Sequence, residues 1–137
     1  MRLGVLKESN EERRVSIVPG SVKKLRKLGF DVVVESGAGA KSHNYDDDYL
    51  KLGSTISDRD EVMSCDIVIS ISMPDIEVMK SGQILVCVAD PFRNPNNVKD
   101  AISKEITLMS MDMIPRRLSR AQAMDVNSSQ DNLAGYK

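Results

Sequence analysis

A three-layer α/β fold around a mainly parallel sheet is the architecture this sequence predicts. Two observations carry it: five short apolar runs recur along the chain, and stretches with helical spacing or helical start signals separate several of them. Strands alternating with helices form βαβ units with right-handed crossovers. The 137 residues fit one domain, and 41% hydrophobic against 28% charged is ordinary for a chain that folds around a core.

RLGVL at 2–6 reads as a buried strand. From Pro19 the stretch PGSVKKLRKLGF places Val22, Leu25 and Leu28 at helical spacing, and Gly29 ends that helix. DVVVES is β-branched and reads as the second strand, followed by a short helix from Asp46 to Leu52 closed by Gly53. DIVISIS at 66–72, QILVCVAD at 83–90 and ITLMSMD at 106–112 complete the set of strands, with helical turns expected after Pro74 and after Asn94. From Ser119, a plausible N-cap, Ala121, Met124, Leu133 and Ala134 share parts of one helical face. That helix is still running at Lys137, which reads as a cut. The chain therefore divides into an α/β domain over 1–115 and a polar closing segment over 116–137.

A formal net charge of −1 gives no global field for nucleic acid, and the basic run Lys23, Lys24, Arg26 and Lys27 reads as a solvated helix face. No apolar run approaches the ~20 residues that cross a bilayer, and no signal peptide is legible, so the expectation is a soluble chain without membrane insertion. Cys65 and Cys87 sit beside apolar runs and match no zinc spacing, so they read as buried thiols.

ESGAGAKS at 35–42 invites two phosphate-binding readings, and both fail on spacing. A dinucleotide fingerprint needs glycine at Ser42, and a P-loop needs glycine at Ala40. The fold is thus flavodoxin- or Rossmann-like without the dinucleotide fingerprint. His43 stands alone in a polar loop with no triad pattern, and Asp46, Asp47 and Asp48 suit a helix start better than a metal site. Asn127-Ser128-Ser129 fits a glycosylation acceptor in a chain with no secretory signal. No metal site and no catalytic constellation is expected. A receiver-like phosphoacceptor is disfavoured because the first strand ends in Lys7-Glu8, without an acidic pair.

Residues 7–40 carry Lys7-Glu8, Arg14-Val15, Val18-Pro19, an amphipathic helix and a strand running into Glu35-x-Gly-Ala-Gly39. This order resembles the N-terminal signature shared by alanine dehydrogenases and the alpha subunits of proton-translocating NAD(P) transhydrogenases. The closing SRAQAMD and SSQDNLAGY resemble the transhydrogenase form. That resemblance implies a domain whose polar loop contacts the nicotinamide end of NAD(H) through Arg117, Gln122 and Asp125, with Ser128 as a further contact. Arg116 competes with Arg117 for the loop arginine, and Asn127 replaces an apolar residue usual at its place. Glutamine can donate to and accept from a carboxamide, and aspartate can accept from hydroxyls.

Alanine dehydrogenases use a lysine and a histidine where strand alignment puts Ser72 and Asp90, while Arg14 matches their carboxylate-binding arginine, kept in both families. The resemblance implies hydride transfer from NADH to NADP⁺ coupled to proton translocation, a downstream Rossmann NAD-binding domain, a membrane component and an NADP(H)-binding component. It further implies a homodimer on the cytoplasmic or matrix side, peripheral to a membrane complex. The chain alone is expected to bind NAD weakly or not at all, because it offers side chains for the nicotinamide end only. Alternative readings are an alanine dehydrogenase-like oxidoreductase and a truncated interaction or dimerisation module.

Overall fold

The structure is a computed structural model that describes residues 1–115, 117 and 119–135, and at 122 and 128 the backbone alone. Six parallel strands form one sheet in the order β3-β2-β1-β4-β5-β6: β1 Arg2–Val5, β2 Asp31–Glu35, β3 Thr55–Ser57, β4 Ile67–Ser72, β5 Ile84–Val88 and β6 Thr107–Ser110. The helices are α1 Pro19–Lys27, α2 Asp46–Lys51, α3 Arg59–Met63, α4 Pro95–Ser103, α5 Ser119–Gln122 and α6 Val126–Gly135. This is the doubly wound order, whose direction reverses between β1 and β4.

The five strands read from sequence are present, and β3 joins them as a sixth at the edge. Gly29 and Gly53 follow α1 and α2 with φ of +92° and +88°, the left-handed geometry that ends a helix. Two expectations are corrected. After Pro74 the chain makes turns and no helix, since Pro74 is followed by Asp75 accepting from Glu77 N–H in a local turn. The closing segment is two helices, because Asp125 interrupts the run and its carboxylate accepts from Asn127 N–H at 3.2 Å at the head of α6.

Strand alternation splits the apolar side chains into two cores. Val22 of α1 and Tyr49 of α2 pack with Leu3, Val5, Val32 and Val34 on one face. Val62 and Met63 of α3 and Ala101 of α4 pack with Val68, Leu85 and Cys87 on the other. Gly4 lets α3 lie directly on β1: a Cβ there would stand 2.5 Å from the Val62 carbonyl oxygen. On the opposite face the buried Tyr49 hydroxyl donates to the Ile17 carbonyl at 2.8 Å and ties the segment before α1 to α2.

Gly4→Ala should lower unfolding stability by about 1–3 kcal/mol in a urea titration, because the Val62 carbonyl must move away. Burial, with Asp46 and Asp48 nearby, pushes the Tyr49 phenol from 10.0 up to about 12. The neutral phenol is therefore favoured in the fold, and its contribution is full below pH 10.0 and lost as pH rises through about 12. Tyr49→Phe should cost about 0.5–1.5 kcal/mol at neutral pH and flatten the alkaline limb of the stability curve above pH 10.0.

Candidate functional site

In a doubly wound sheet the crevice for ligands lies beyond the carboxyl ends of the strands where the order reverses. Here the loop of residues 6–18, between β1 and α1, folds over that crevice. Two carboxylates hold it. Glu8 accepts from Ile71 N–H at 2.5 Å and Ser72 N–H at 3.1 Å, at the irregular end of β4. Glu35 accepts from Lys7 N–H at 2.8 Å and from Arg59 Nη1 at 3.2 Å. From the far side Lys41 Nζ donates to the Asn10 carbonyl at 3.0 Å.

The glycine-rich stretch after β2 is occupied with its own packing. Gly37 N–H donates to Asp46 Oδ1 at 2.9 Å, and a Cβ on Gly39 would stand 2.5 Å from the Asn44 carbonyl oxygen. Its amides therefore cradle protein atoms and not a phosphate. The acidic triplet is likewise structural: Asp46 holds this loop, and Asp48 accepts from Tyr45 N–H at 3.1 Å at the start of α2. His43 is exposed and stands in the left-handed region at φ 58°. Among the described residues no group of three or more His, Cys, Asp or Glu is placed to hold a metal ion.

Because the loop is held in this way, Arg14 reaches the ends of β4 and β5. A cleft of about 350 Å³ there is lined by Glu12, Arg14, Ser72, Asp90, Asn94 and Asn97, with Val126, Asn127 and Gln130 of α6 forming its third side. An adjoining, more apolar cleft of about 360 Å³ continues beneath Arg14 along Ile71, Val86 and Val88 to Val126. The opening signature and the closing segment, distant in sequence, thus meet at one place.

Arg14 is already engaged. Its Nε and Nη2 donate to the two oxygens of Glu12 at 2.9 and 2.7 Å, a two-point clasp. The guanidinium holds the Glu12 carboxyl at about 2, well below its ordinary 4.5. Asp90 has φ 45°, and its N–H donates to Asp112 Oδ2 at 3.1 Å, while Asn97 Nδ2 donates to the Ala89 carbonyl at 2.9 Å. Ser72 and Asp90, aligned with the lysine and histidine of alanine dehydrogenases, do face the same cleft as Arg14.

Of the loop residues, Arg117 is exposed on the turn before α5, and Arg116 lies outside the described residues. Asp125 is fully buried between α5 and α6: its carboxylate caps α6, its N–H donates to the Ala121 carbonyl at 3.0 Å, and its carbonyl accepts from Ser129 Oγ at 3.2 Å. Its place is thus within the joint that sets α6 against Arg14. The side chains of Gln122 and Ser128 lie outside the described residues; their backbones sit at the end of α5 and in the first turn of α6. Sequence reasoning missed Glu12, Asn94 and Asn97, and the Glu-x-Arg pairing of Glu12 with Arg14 was the available signal.

Chemically, the cleft combines amides, a hydroxyl, a clasped arginine and the two carboxylates of Glu12 and Asp90, and among the described residues no His, Lys, Cys or Tyr lines it. Amide and hydroxyl groups fit the carboxamide and sugar hydroxyls at the nicotinamide end of a dinucleotide. Among the described residues no open glycine turn offers amides to a pyrophosphate, so the fit extends to that end alone.

Glu12 binds its proton more weakly in the fold than in the unfolded chain, so its contribution is present above about pH 4.5 and lost as pH falls through about 2. A carbon-detected NMR titration should place its midpoint near 2, with the Arg14 Nε–H signal moving in step. Glu12→Gln should abolish that coupled shift and lower stability by less than ~1 kcal/mol, since Arg14 is half exposed.

The sequence model of the family described as alanine dehydrogenase/PNT, N-terminal domain, matches residues 4–134. The NAD(P) transhydrogenase subunit alpha of Haemophilus influenzae is 39% identical over 100% of this chain, which spans 27% of that protein. The NAD(P) transhydrogenase subunit alpha of Cereibacter sphaeroides is 36% identical over 100% of the chain, which again spans 27% of it. A crystal structure of transhydrogenase from Sinorhizobium meliloti superposes with a TM-score of 0.93 at 37% identity, covering 99% of this chain and 42% of that one. The chain thus spans less than half the length of each of these relatives, and over residues 4–134 it belongs to the alanine dehydrogenase/PNT N-terminal domain family.

Proposed function

We propose that this chain is the N-terminal part of the NAD(H)-binding component of an NAD(P) transhydrogenase, in which hydride passes from NADH to NADP⁺ with coupled proton translocation. The supporting observation is the meeting of Arg14 with the closing segment at a cleft that, among the described residues, lacks a histidine, lysine, cysteine or tyrosine. Hydride passing between two nicotinamide rings adds no proton to and removes none from the reacting carbons. Such a site needs positioning and exclusion of water, and no general acid or base.

Bound NAD(H) would supply the hydride from its nicotinamide ring. The chain's own residues hold that end. Gln122, at the end of α5, offers an amide that both donates to and accepts from a carboxamide, and Ser128 adds a hydroxyl from the first turn of α6. Arg117, exposed on the preceding turn, is the loop cation. Asp125 acts as a positioning residue, because its cap fixes the start of α6 beside the cleft. The pyrophosphate and adenosine ends fall to a downstream Rossmann domain, and NADP(H) to a separate component beside a membrane part. No helix among the described residues is long and apolar enough to cross a membrane. In this reading the chain joins that complex peripherally, as a homodimer.

An alanine dehydrogenase-like reading draws on Arg14 at the cleft. Against it, Glu12 already fills the arginine's two-point face, and Ser72 and Asp90 replace the lysine and histidine. Oxidation of NADH by the complete subunit that requires both pyruvate and ammonium would establish it.

In the complete subunit assembled with its membrane partner, Gln122→Asn should slow transfer from NADH to an NADP⁺ analogue by about 100-fold while circular dichroism stays unchanged. Unaltered rates for both Gln122→Asn and Asp125→Asn would remove the loop from the site. The 137-residue chain alone should show no saturable binding of NADH by fluorescence titration at submillimolar concentration.

A further inference from the structure

Charge is unevenly paired around the cleft at the ends of β4 and β5. Glu12 and Arg14 face it as a clasped pair, and the guanidinium keeps the Glu12 carboxyl ionised down to about pH 2. Glu8 turns its oxygens onto the amides of Ile71 and Ser72. From α6 come Val126, Asn127 and Gln130, all uncharged. Asp90 is different. Among the described residues its carboxylate accepts no hydrogen bond, and its ion pair is with Arg93 Nε at 3.8 Å. The Arg93 side chain is 87% exposed, so water screens most of that attraction. One carboxylate charge therefore stands at the cleft wall without a close counter-ion. Nor does the turn require this side chain. Asp90 has φ 45°, in the left-handed region that glycine occupies without cost. Neighbouring groups fix the backbone there: Asp90 N–H donates to Asp112 Oδ2 at 3.1 Å, and the Asp90 carbonyl accepts from Asn94 N–H at 2.9 Å. Asn97 Nδ2 donates to the Ala89 carbonyl just before it at 2.9 Å. A costly backbone conformation held by its surroundings marks a position for functional scrutiny. What is held here is a carboxylate at the wall of the cleft.

We propose that Asp90 tunes the bound dinucleotide, favouring its oxidised form over its reduced form by standing beside the nicotinamide ring. This rests on the reading of the cleft as the nicotinamide site. When hydride leaves, the C4–H bond of the dihydronicotinamide breaks with both electrons, which form the new C–H bond on the NADP⁺ ring. The donor ring passes from neutral to cationic and the acceptor ring from cationic to neutral. A carboxylate fixed beside the donor ring attracts the cation and leaves the neutral ring almost unaffected. The Glu12–Arg14 pair carries no net charge and supplies no such bias. NADH held beside Asp90 is thus a stronger hydride donor than NADH held beside an uncharged residue, and no proton moves.

The test removes the charge and keeps the shape. Asparagine tolerates the left-handed region as aspartate does, so Asp90→Asn in the complete subunit should fold as the wild type by circular dichroism. Dissociation constants for NAD⁺ and NADH are measured separately by isothermal calorimetry. Asp90→Asn should weaken NAD⁺ by about 10-fold and leave NADH unchanged, which raises the midpoint potential of the bound two-electron couple by about 30 mV. The difference should shrink in concentrated salt. Arg93→Gln, which takes away the screened cation, should move the ratio of the two constants the opposite way by less than ~3-fold. Equal weakening of both forms by Asp90→Asn, the result of a purely structural role, overturns the proposal. So does an Arg93→Gln shift in the same direction as that of Asp90→Asn. A wild-type subunit that binds neither form saturably sinks the functional reading and the proposal together, whereas saturable binding with an unmoved ratio sinks the proposal alone.

Discussion

The Glu8 carboxylate seated on the amides of Ile71 and Ser72 is the contact on which this site depends. A doubly wound sheet leaves an open crevice where β1 and β4 part company, and in dinucleotide-binding folds a tight glycine turn fills it with a phosphate. This chain instead sends a long loop, residues 6–18, across the gap and satisfies the β4 amides with its own side chain. A carboxylate accepting from two backbone N–H groups is a charge-assisted arrangement, stronger than neutral hydrogen bonds. Glu35 makes a second anchor on Lys7 N–H. With both in place the loop has one path, and that path delivers Arg14 to the ends of β4 and β5.

From that constraint the division of chemistry follows. In the proposed reading, ligand contact falls outward of the anchored loop, at the cleft between Arg14 and the start of α6. Its arginine is clasped by Glu12, and its lining amides and hydroxyl are suited to hold a polar ligand still without exchanging protons with it. Asp125, fully buried between two short helices, fixes the angle at which α6 closes the cleft. The fold thus places geometry, and little reactivity, at the point where the family's two signature segments come together.

Much of the fold was legible because β2, β4 and β5 are rich in β-branched residues and the first helix carries a proline start and a glycine stop. What escaped was short. β3 is three residues at a sheet edge, below the length at which alternation is detectable. α3 is five residues, although Asp58, which accepts from Glu61 N–H at 2.9 Å, spelled a helix start in the sequence. Asp125 was legible as a polar residue of interest, and its capping position divides what periodicity had joined into one helix. The site was legible in part through family resemblance, which singled out Arg14 and the closing segment. Contacts such as Glu8 to Ile71, 63 positions apart, leave no local pattern, so the route that brings those segments together was visible only in three dimensions.

The most direct measurement is a crystal structure of the complete subunit with NADH bound. Nicotinamide density over the carboxyl ends of β4 and β5, in contact with the turn from Gln122 to Ser128 and beside Arg14, is the expected result. A ring bound elsewhere, with that turn facing solvent and the Arg14 cleft filled only by water, would contradict it.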